Sequence, residues 1–144
     1  MPSQPTLSFL DFDVVKIVLD RGDLDKNFVG GEFKVNIKYS CNINEANKND
    51  FISSFVITIN HSKFPMFNFQ LEAAGKFLIN GEPNQVIYQN FTEISAPSIV
   101  YPYIRAFVSN IFTQSGLRQL YIPSINFSNK RDALSGHGIS QEIL

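Results

Sequence analysis

The sequence predicts an α+β fold, in which a four-stranded antiparallel sheet is followed by one main helix. Within residues 7–80, four segments are predicted as strands, and three of them alternate apolar and polar side chains with a period of two, which is typical of half-buried antiparallel strands. After them, apolar residues recur at helical spacing from Ile99 to Phe112. A sheet with one apolar face needs a covering layer, and we expect the helix to supply it.

The four strands are expected in the order of their segments. In LSFLDFDVVKIVLD the apolar residues occupy both parities, which indicates a bulge near Val14 and Val15. GEFKVNIKYSCNI, FISSFVITINH and MFNFQLEAAGKFLIN each keep their apolar residues mainly on one parity, and Gly75 is expected at a bulge or bend. Because short polar turns separate these segments, the sequence predicts a β-meander.

The main helix is predicted over residues 95–116. Ser95 is expected to cap it, Pro97 to be tolerated in its first turn and Gly116 to end it, while Pro102 bends it or marks its true beginning. The preceding stretch INGEPNQVIYQNFTEIS is expected to be a loop or a short irregular element. The apolar residues form two adjacent columns, although a helix lying on its own sheet needs only one. The second column faces either a partner subunit or the same monomer.

The chain is expected to form one domain over residues 1–144. Its parts are a sheet over residues 7–80, the main helix over 95–116, a linker over 117–127 and a tail over 128–144. Because Gly136 and Gly138 interrupt the few apolar residues of the tail, we expect it to be weakly structured or to form a short helical segment.

Composition excludes several classes of protein. The net charge is −1 and Lys and Arg are not clustered, which argues against a generic nucleic-acid binder. The single cysteine, Cys41, cannot form an internal disulfide, which fits a reducing compartment. The start MPSQPTLSF lacks the features of a signal peptide, and the apolar runs are too short to cross a membrane. We therefore expect a cytoplasmic protein without membrane insertion.

No catalytic constellation is visible in the sequence. The two histidines, His61 and His137, belong to no metal-ligand pattern, and Cys41 lies on the apolar parity of its strand, as a buried structural cysteine does. Asp11 and Asp13 project from the same side of a strand and could share a proton or bind a cation, but a solvated strand face is the favoured interpretation. The sequence therefore predicts no enzymatic activity, no cofactor and no metal.

Two motifs in order resemble those of the bacterial protein-export chaperone SecB family. The first is YPYIR at residues 101–105, and the second is LYIPSINF at residues 120–127, after a break that contains glycine. The resemblance implies a four-stranded antiparallel sheet, a long helix, a linker and a second helix. It also implies a homo-oligomer, a dimer or a tetramer, in which the main helices lie between sheets.

The function implied by the resemblance is that of a holdase chaperone. Such a protein binds unfolded polypeptide clients through apolar surface and can hand them to the export motor ATPase. The nearly balanced charge and the short tail also fit a SecB-like chaperone dedicated to one partner, such as an antitoxin. Two alternatives stay open, namely an interaction module for a folded partner or for its own oligomer, and a small-ligand carrier that uses the Phe-rich sheet.

The resemblance also implies three groups of site residues. Client contacts are expected in the linker and the nearby sheet, at Phe28, Phe67, Phe69, Leu117, Leu120, Tyr121 and Ile122, although Phe67 and Phe69 lie on the core parity of their strand. Oligomer contacts are expected on the main helix, at Ile99, Tyr103, Arg105, Phe107, Val108, Ile111 and Phe112. Arg105 would pair with a carboxylate across a subunit interface or remain solvated. Candidates for docking on the motor ATPase are Asp11, Asp13, Asp20 and Asp23.

Overall fold

A computed structural model describes residues 4–25, 27, 30–118, 120–128 and 138–143. The strands are β1 (Thr6–Asp20), β2 (Phe33–Ile43), β3 (Asp50–His61), β4 (Asn68–Asn80) and β5 (Gly138–Ile143). Between β4 and β5 lie helix α1 (Gln85–Asn90), a π-helical turn (Phe91–Ser95) and helix α2 (Ala96–Gln114). Four antiparallel strands in one sheet, followed by a single long helix, confirm the predicted fold class.

The strand order in the sheet is β1-β4-β3-β2-β5, so the connectivity differs from a simple meander. Strands β2, β3 and β4 follow one another as hairpins, but β1 pairs antiparallel with β4 instead of β2. The connection over residues 21–32 can make this crossing, because three strand spacings amount to only about 14 Å. A short turn makes two consecutive strands neighbours in the sheet. A connection as long as residues 21–32 does not, so the strand that pairs with β1 is determined by tertiary contacts.

Strand β1 contains two irregularities in its pairing with β4. The register shifts between Phe9 and Asp11 and again between Val14 and Lys16. The second shift confirms the bulge expected near Val14 and Val15, and the first, at Leu10, was not predicted. Each shift changes the parity of the residues that follow it, which explains why apolar residues occupy both parities of this strand.

The core lies on one face of the sheet, on the odd-numbered residues of β2, β3 and β4. The largest side chains of this face, among them Phe51, Phe55, Phe69 and Phe77, are at most 1% exposed. Gly75 lies within the continuous strand β4, where a Cβ would overlap the Cγ2 atom of Val100 on α2. It therefore permits close approach of the helix, and the bulge or bend expected there is absent from the pairing of β4 with β3.

The helical segment begins ten residues earlier than predicted. The side-chain oxygen of Asn84 accepts a hydrogen bond from the Ile87 amide at 2.8 Å and caps α1. Ser95 makes no side-chain capping bond, because the chain is already helical through the π turn. The main helix α2 therefore begins at the predicted position, but the expected side-chain cap is absent and part of the expected loop before Ser95 is helical.

The end of α2 is as predicted. Gly116 has φ +79°, the Leu117 amide donates to the Phe112 carbonyl at 3.0 Å, and the Gly116 amide donates to the Thr113 carbonyl at 3.1 Å. These two bonds are those of a Schellman motif, which needs a residue with positive φ after the helix. Gly116 supplies it.

Six residues of the tail form a strand where a weakly structured or short helical segment was expected. Residues Gly138–Ile143 pair antiparallel with β2, from Phe33 opposite Ile143 to Lys38 opposite Gly138. The expectation is wrong for these six residues, because the free edge of β2 offers hydrogen-bond partners that the tail sequence alone does not reveal. Residues 129–137 and 144 of the expected tail lie outside the described part of the chain.

Candidate polypeptide-binding surface

One column of α2 is buried against the sheet of the same chain. Val100, Ile104, Val108 and Phe112 follow at four-residue spacing, and each is 0% exposed. The ring of Phe112 lies 5.4 Å from that of Phe69, measured between centroids. The prediction that Val108 and Phe112 face a partner subunit is therefore wrong, since both complete the monomer core.

The second column of α2 is partly exposed. Ile99 is 36% exposed and Tyr103 is 51% exposed, while Phe107 and Ile111 are half-buried. Part of this column is covered by β1, since the Tyr103 ring packs on Phe9 and Phe12 at centroid distances of 5.4 and 5.5 Å. The four residues remain candidates for an oligomer interface.

Tyr101 and Arg105 tie the linker to α2. The Tyr101 hydroxyl donates to the Pro123 carbonyl at 2.7 Å. Arg105 donates through Nε to the Ile122 carbonyl at 2.9 Å and through Nη1 to the Ser124 hydroxyl at 3.2 Å. Three consecutive linker residues are therefore held by two side chains one helical turn apart.

This arrangement, here called the linker clamp, joins the two sequence motifs. Burial raises the pKa of Tyr101, an effect that the nearby Arg105 cation opposes, so the phenol keeps its proton and remains a donor. The expected roles of Arg105, in an ion pair across a subunit interface or in solvent, did not include these contacts with the linker of its own chain. The role of Tyr101 was missed, although its position four residues before Arg105 in the YPYIR motif is the signal that places both on one side of the helix.

The linker turns most of its apolar side chains inward. Leu117, Leu120, Ile122 and Phe127 are between 2% and 6% exposed. The Phe127 ring packs edge-on against Tyr39 and Tyr101, with centroid distances of 5.0 and 5.8 Å. Direct contact of a client with Leu117, Leu120 or Ile122 therefore requires the linker to move.

Tyr121 is the exception, because it is 69% exposed and points away from the core. Beside it, a groove of about 220 Å³ runs between α2 and the linker. The groove is lined by Pro102, Arg105, Ala106, Ser109, Leu120, Tyr121 and Ile122. Apolar walls with few charged groups suit an extended chain whose sequence is not read closely.

The remaining client candidates lie elsewhere. Phe67 and Phe69 are 1% and 0% exposed, so they are core residues in this fold and not surface contacts. Their parity in β4 had already indicated this. Phe28 lies outside the described residues.

The four acidic candidates for motor docking are all exposed but do not form one patch of uniform charge. Asp11 and Asp13 share the outer face of the sheet, as expected, and line a cavity of about 250 Å³ together with Lys76. Lys76 is also the register partner of Asp11. Asp20 lies at the end of β1, and its carboxylate accepts a hydrogen bond from the Gly22 amide. The outer face is therefore mixed in charge.

Burial shifts the pKa of two side chains that could be reactive, Cys41 and His61. Burial raises the pKa of the Cys41 thiol to about 11, with a smaller contribution from Glu93, so the thiolate is scarce at neutral pH. His61 is 4% exposed beside Phe33 and Phe64, and burial lowers its pKa. Among the residues that the structure describes, no three His, Cys, Asp or Glu side chains group as a metal site, and no helix is long and apolar enough to span a membrane.

Comparison with solved structures identifies the fold. The chain is similar to a SecB-like chaperone of Mycobacterium tuberculosis that was solved in complex with a ChAD peptide from the HigA1 antitoxin. The TM-score is 0.66 at 14% identity, and the match covers 83% of this chain and 90% of that chain. At this level of identity the likeness establishes the fold, which is SecB-like.

Sequence comparison gives the family. Residues 25–130 match the family described as preprotein translocase subunit SecB, so the chain belongs to the SecB family, as the two motifs had indicated. The protein-export protein SecB of Dinoroseobacter shibae is 27% identical over 105 residues, which are 73% of this chain and 52% of that protein. The chain therefore spans about half the length of that relative. An uncharacterized protein of Methanocaldococcus jannaschii is 26% identical over 129 residues, which are 87% of this chain and 82% of that protein.

Proposed function

We propose that this protein is a holdase chaperone that binds non-native polypeptides at the surface formed by α2 and the linker. The observation that carries the proposal is the exposed Tyr121 beside the apolar groove of about 220 Å³. Membership of the SecB family supports it. A binding role also agrees with the raised pKa of Cys41, which disfavours a nucleophile. We place the activity in the cytoplasm.

The direct test is suppression of aggregation by matched surface variants. Tyr121→Ser removes the exposed ring, whereas Met66→Ser removes an apolar side chain of equal exposure, 68% against 69%, from the turn before β4. An unrelated polypeptide is diluted out of denaturant, and light scattering is followed at equimolar chaperone. We expect Tyr121→Ser to need several-fold more protein for half-maximal suppression, while Met66→Ser behaves as the wild type. Equal loss in both variants, or no suppression by the wild type, would remove the proposal.

A dedicated partner is the second candidate function. The solved SecB-like chaperone that this chain resembles binds a peptide from an antitoxin. A chaperone of this type would bind one peptide tightly and leave unrelated polypeptides to aggregate. The aggregation assay above separates the two, because a dedicated chaperone fails with several unrelated clients yet still binds its own partner.

For a role in export, we propose Asp11, Asp13, Asp20 and Asp23 as contacts for the motor ATPase. All four are exposed. Their neutralisation to Asn should weaken binding to the ATPase and make that binding less sensitive to salt. Binding that is unchanged in the fourfold variant would assign the contact to another surface.

A further inference from the structure

We propose that the β2 edge is a second peptide-binding site, and that β5 is its internal, displaceable occupant. The structure shows that this edge accepts an extended segment, because residues 138–143 pair with Phe33–Lys38 as an added antiparallel strand. Pairing of an extended peptide with a sheet edge is a general mode of recognition, in which backbone hydrogen bonds give affinity and alternate side chains give selectivity. The inference rests on the proposed function only for the nature of the ligand, a segment of non-native polypeptide.

The sequence of β5 is a poor match to the edge that it covers. Only Ile139 and Ile143 are β-branched, and Gly138 and Ser140 are weak strand formers. Gln141 is the register partner of Val35, a core residue of 0% exposure, so a polar residue occupies the centre of the apolar parity. A segment with an apolar residue at this register position should bind better than β5 itself.

The edge also extends beyond β5. Strand β2 continues to Ile43, and the pairing with β5 ends at Lys38. A longer segment could therefore add pairs along residues 39–43, which β5 does not reach. This gives a client an advantage over the internal strand that grows with the length of its extended stretch.

The outward-facing residues of the β2 edge favour a ligand that has acidic residues at the positions opposite them. Lys34 and Lys38 are exposed on β2, and their register partners on β5 are Glu142 and Gly138. A cross-strand pair of opposite charge stabilises a sheet, and Gly138 makes none with Lys38. The preferred ligand is therefore an extended segment with apolar residues opposite Phe33, Val35 and Ile37 and acidic residues opposite Lys34 and Lys38.

The pairing of β5 with the β2 edge determines the apparent affinity of that edge for a peptide. While β5 is paired, the edge is available only in the fraction of molecules in which it has left, and the dissociation constant for a peptide rises by the inverse of that fraction. Because β5 is tethered, its effective concentration is high, on the order of millimolar. Removal of residues 138–144 should tighten peptide binding by at least about tenfold.

The experiment uses labelled peptides of the β5 sequence as probes. Fluorescence anisotropy compares GISQEI with two relatives, GISVEI, which is apolar at the Gln141 position, and GISVKI, which reverses the charge at the Glu142 position. We expect the chain that ends at residue 137 to bind GISVEI most tightly and GISVKI less tightly than GISVEI, and Lys34→Glu to invert that preference. The full chain should bind each peptide at least about tenfold more weakly.

A matched pair of variants covers the case in which the shortened chain fails to fold. In an edge strand, the backbone N–H groups of successive residues point alternately toward the neighbouring strand and toward solvent. Of Ser140→Pro and Gln141→Pro, one therefore removes a hydrogen bond between β5 and β2, and the other spares these bonds. One of the two should tighten peptide binding in the full chain, and the other should have little effect. Equal affinity in both variants and in the wild type would overturn the proposal.

Amide hydrogen exchange separates this proposal from the proposed function. Those amides of residues 33–38 that face β5 should lose protection when β5 is removed and regain it when GISVEI is added, whereas the amides that bond to β3 should not change. If the protein suppresses aggregation while these amides never respond to peptide, the edge site is refuted and the α2–linker surface stands. If the amides respond but Tyr121→Ser has no effect on aggregation, the edge site stands and the α2–linker surface is refuted.

Discussion

The linker clamp should contribute a measurable part of the stability of the fold. Tyr101→Phe removes only the hydroxyl that donates to the Pro123 carbonyl at 2.7 Å. A buried hydrogen bond contributes about 0.5–1.5 kcal/mol net, and the loss lies in the upper half of that range where a carbonyl is left without its donor. Because Tyr101 is 3% exposed, we expect the free energy of unfolding to fall by about 1–1.5 kcal/mol.

Arg105→Met keeps the aliphatic stem and removes both guanidinium bonds. The bond from Nε to the Ile122 carbonyl is charge-assisted, but the side chain is only half-buried, so solvent screening reduces its value to about 1–1.5 kcal/mol. The double variant should lose less than the sum of the two, because both donors hold the same short segment and either loss loosens it.

Urea unfolding followed by far-UV circular dichroism measures these differences, since the chain has no tryptophan to report by fluorescence. Ser124→Ala is the matched control, because it removes only the exposed bond of 3.2 Å and should cost under about 0.5 kcal/mol. Losses below about 0.3 kcal/mol in both Tyr101→Phe and Arg105→Met would show that burial of Leu120, Ile122 and Phe127 alone holds the linker.

Three further predictions concern packing, pH and the helix end. Gly75→Ala should destabilise the fold by about 1–3 kcal/mol through overlap with Val100, and in a double-mutant cycle with Val100→Ala the combined loss should be smaller than the sum of the single losses; strict additivity would contradict the close approach. Burial, assisted by the Lys63 charge, lowers the pKa of His61 in the folded chain below its ordinary 6.5, so the unfolded chain binds the proton first as pH falls. The free energy of unfolding should therefore decrease as pH drops from about 6.5 to the lowered pKa. His61→Gln should remove this pH dependence from unfolding curves measured across the same range. Gly116→Ala should cost about 1 kcal/mol in unfolding free energy, through backbone strain alone, since nothing lies within 4 Å of the added Cβ; a neutral substitution would mean that the backbone can relax there.

The parts of the fold that sequence predicted are those fixed by local pattern. Alternation marked β2, β3 and β4 because one face of each is buried, and Gly116 marked the end of α2 because the Schellman motif demands positive φ. The strand that pairs with β1 could not be predicted from local pattern, since the pairing of β1 with β4 joins residues that are far apart in sequence. Strand β5 was missed for a related reason, because its six residues carry little strand propensity and depend on the edge of β2.

The candidate site was predicted in outline and changed in detail. The two motifs were recognised as a pair, but their physical relation, donors on α2 and carbonyls on the linker, is a tertiary contact. Among the predicted client residues in the linker, Tyr121 is exposed, whereas Leu120 and Ile122 on either side of it are buried. The sequence could not distinguish them, because all three are apolar and consecutive. Direction of a side chain in an irregular segment depends on the surface against which the segment packs.

The area of the exposed α2 column limits how much of an oligomer interface this helix can supply. A helix of 19 residues is about 28 Å long, so a column roughly 10 Å wide offers on the order of 300 Å². A stable interface buries about 800 Å² on each partner, and Tyr103 is already partly covered by Phe9 and Phe12. A homo-oligomer of the kind that the family resemblance implies would therefore need more surface than α2 provides.

Strand β1 is the adjoining surface that can supply the difference. It is the edge strand next to the exposed column, and Ile17, whose register partner is the core residue Leu71 on the helix-covered face of the sheet, is 40% exposed. Ile17→Lys should then lower the mass in solution, measured by light scattering, while Val56→Lys, which is of similar exposure at 37% but lies on the outer face of the sheet, should leave it unchanged. A mass that stays multimeric in the β1 variant would place the interface on another face, and a monomeric wild type would end the oligomer proposal.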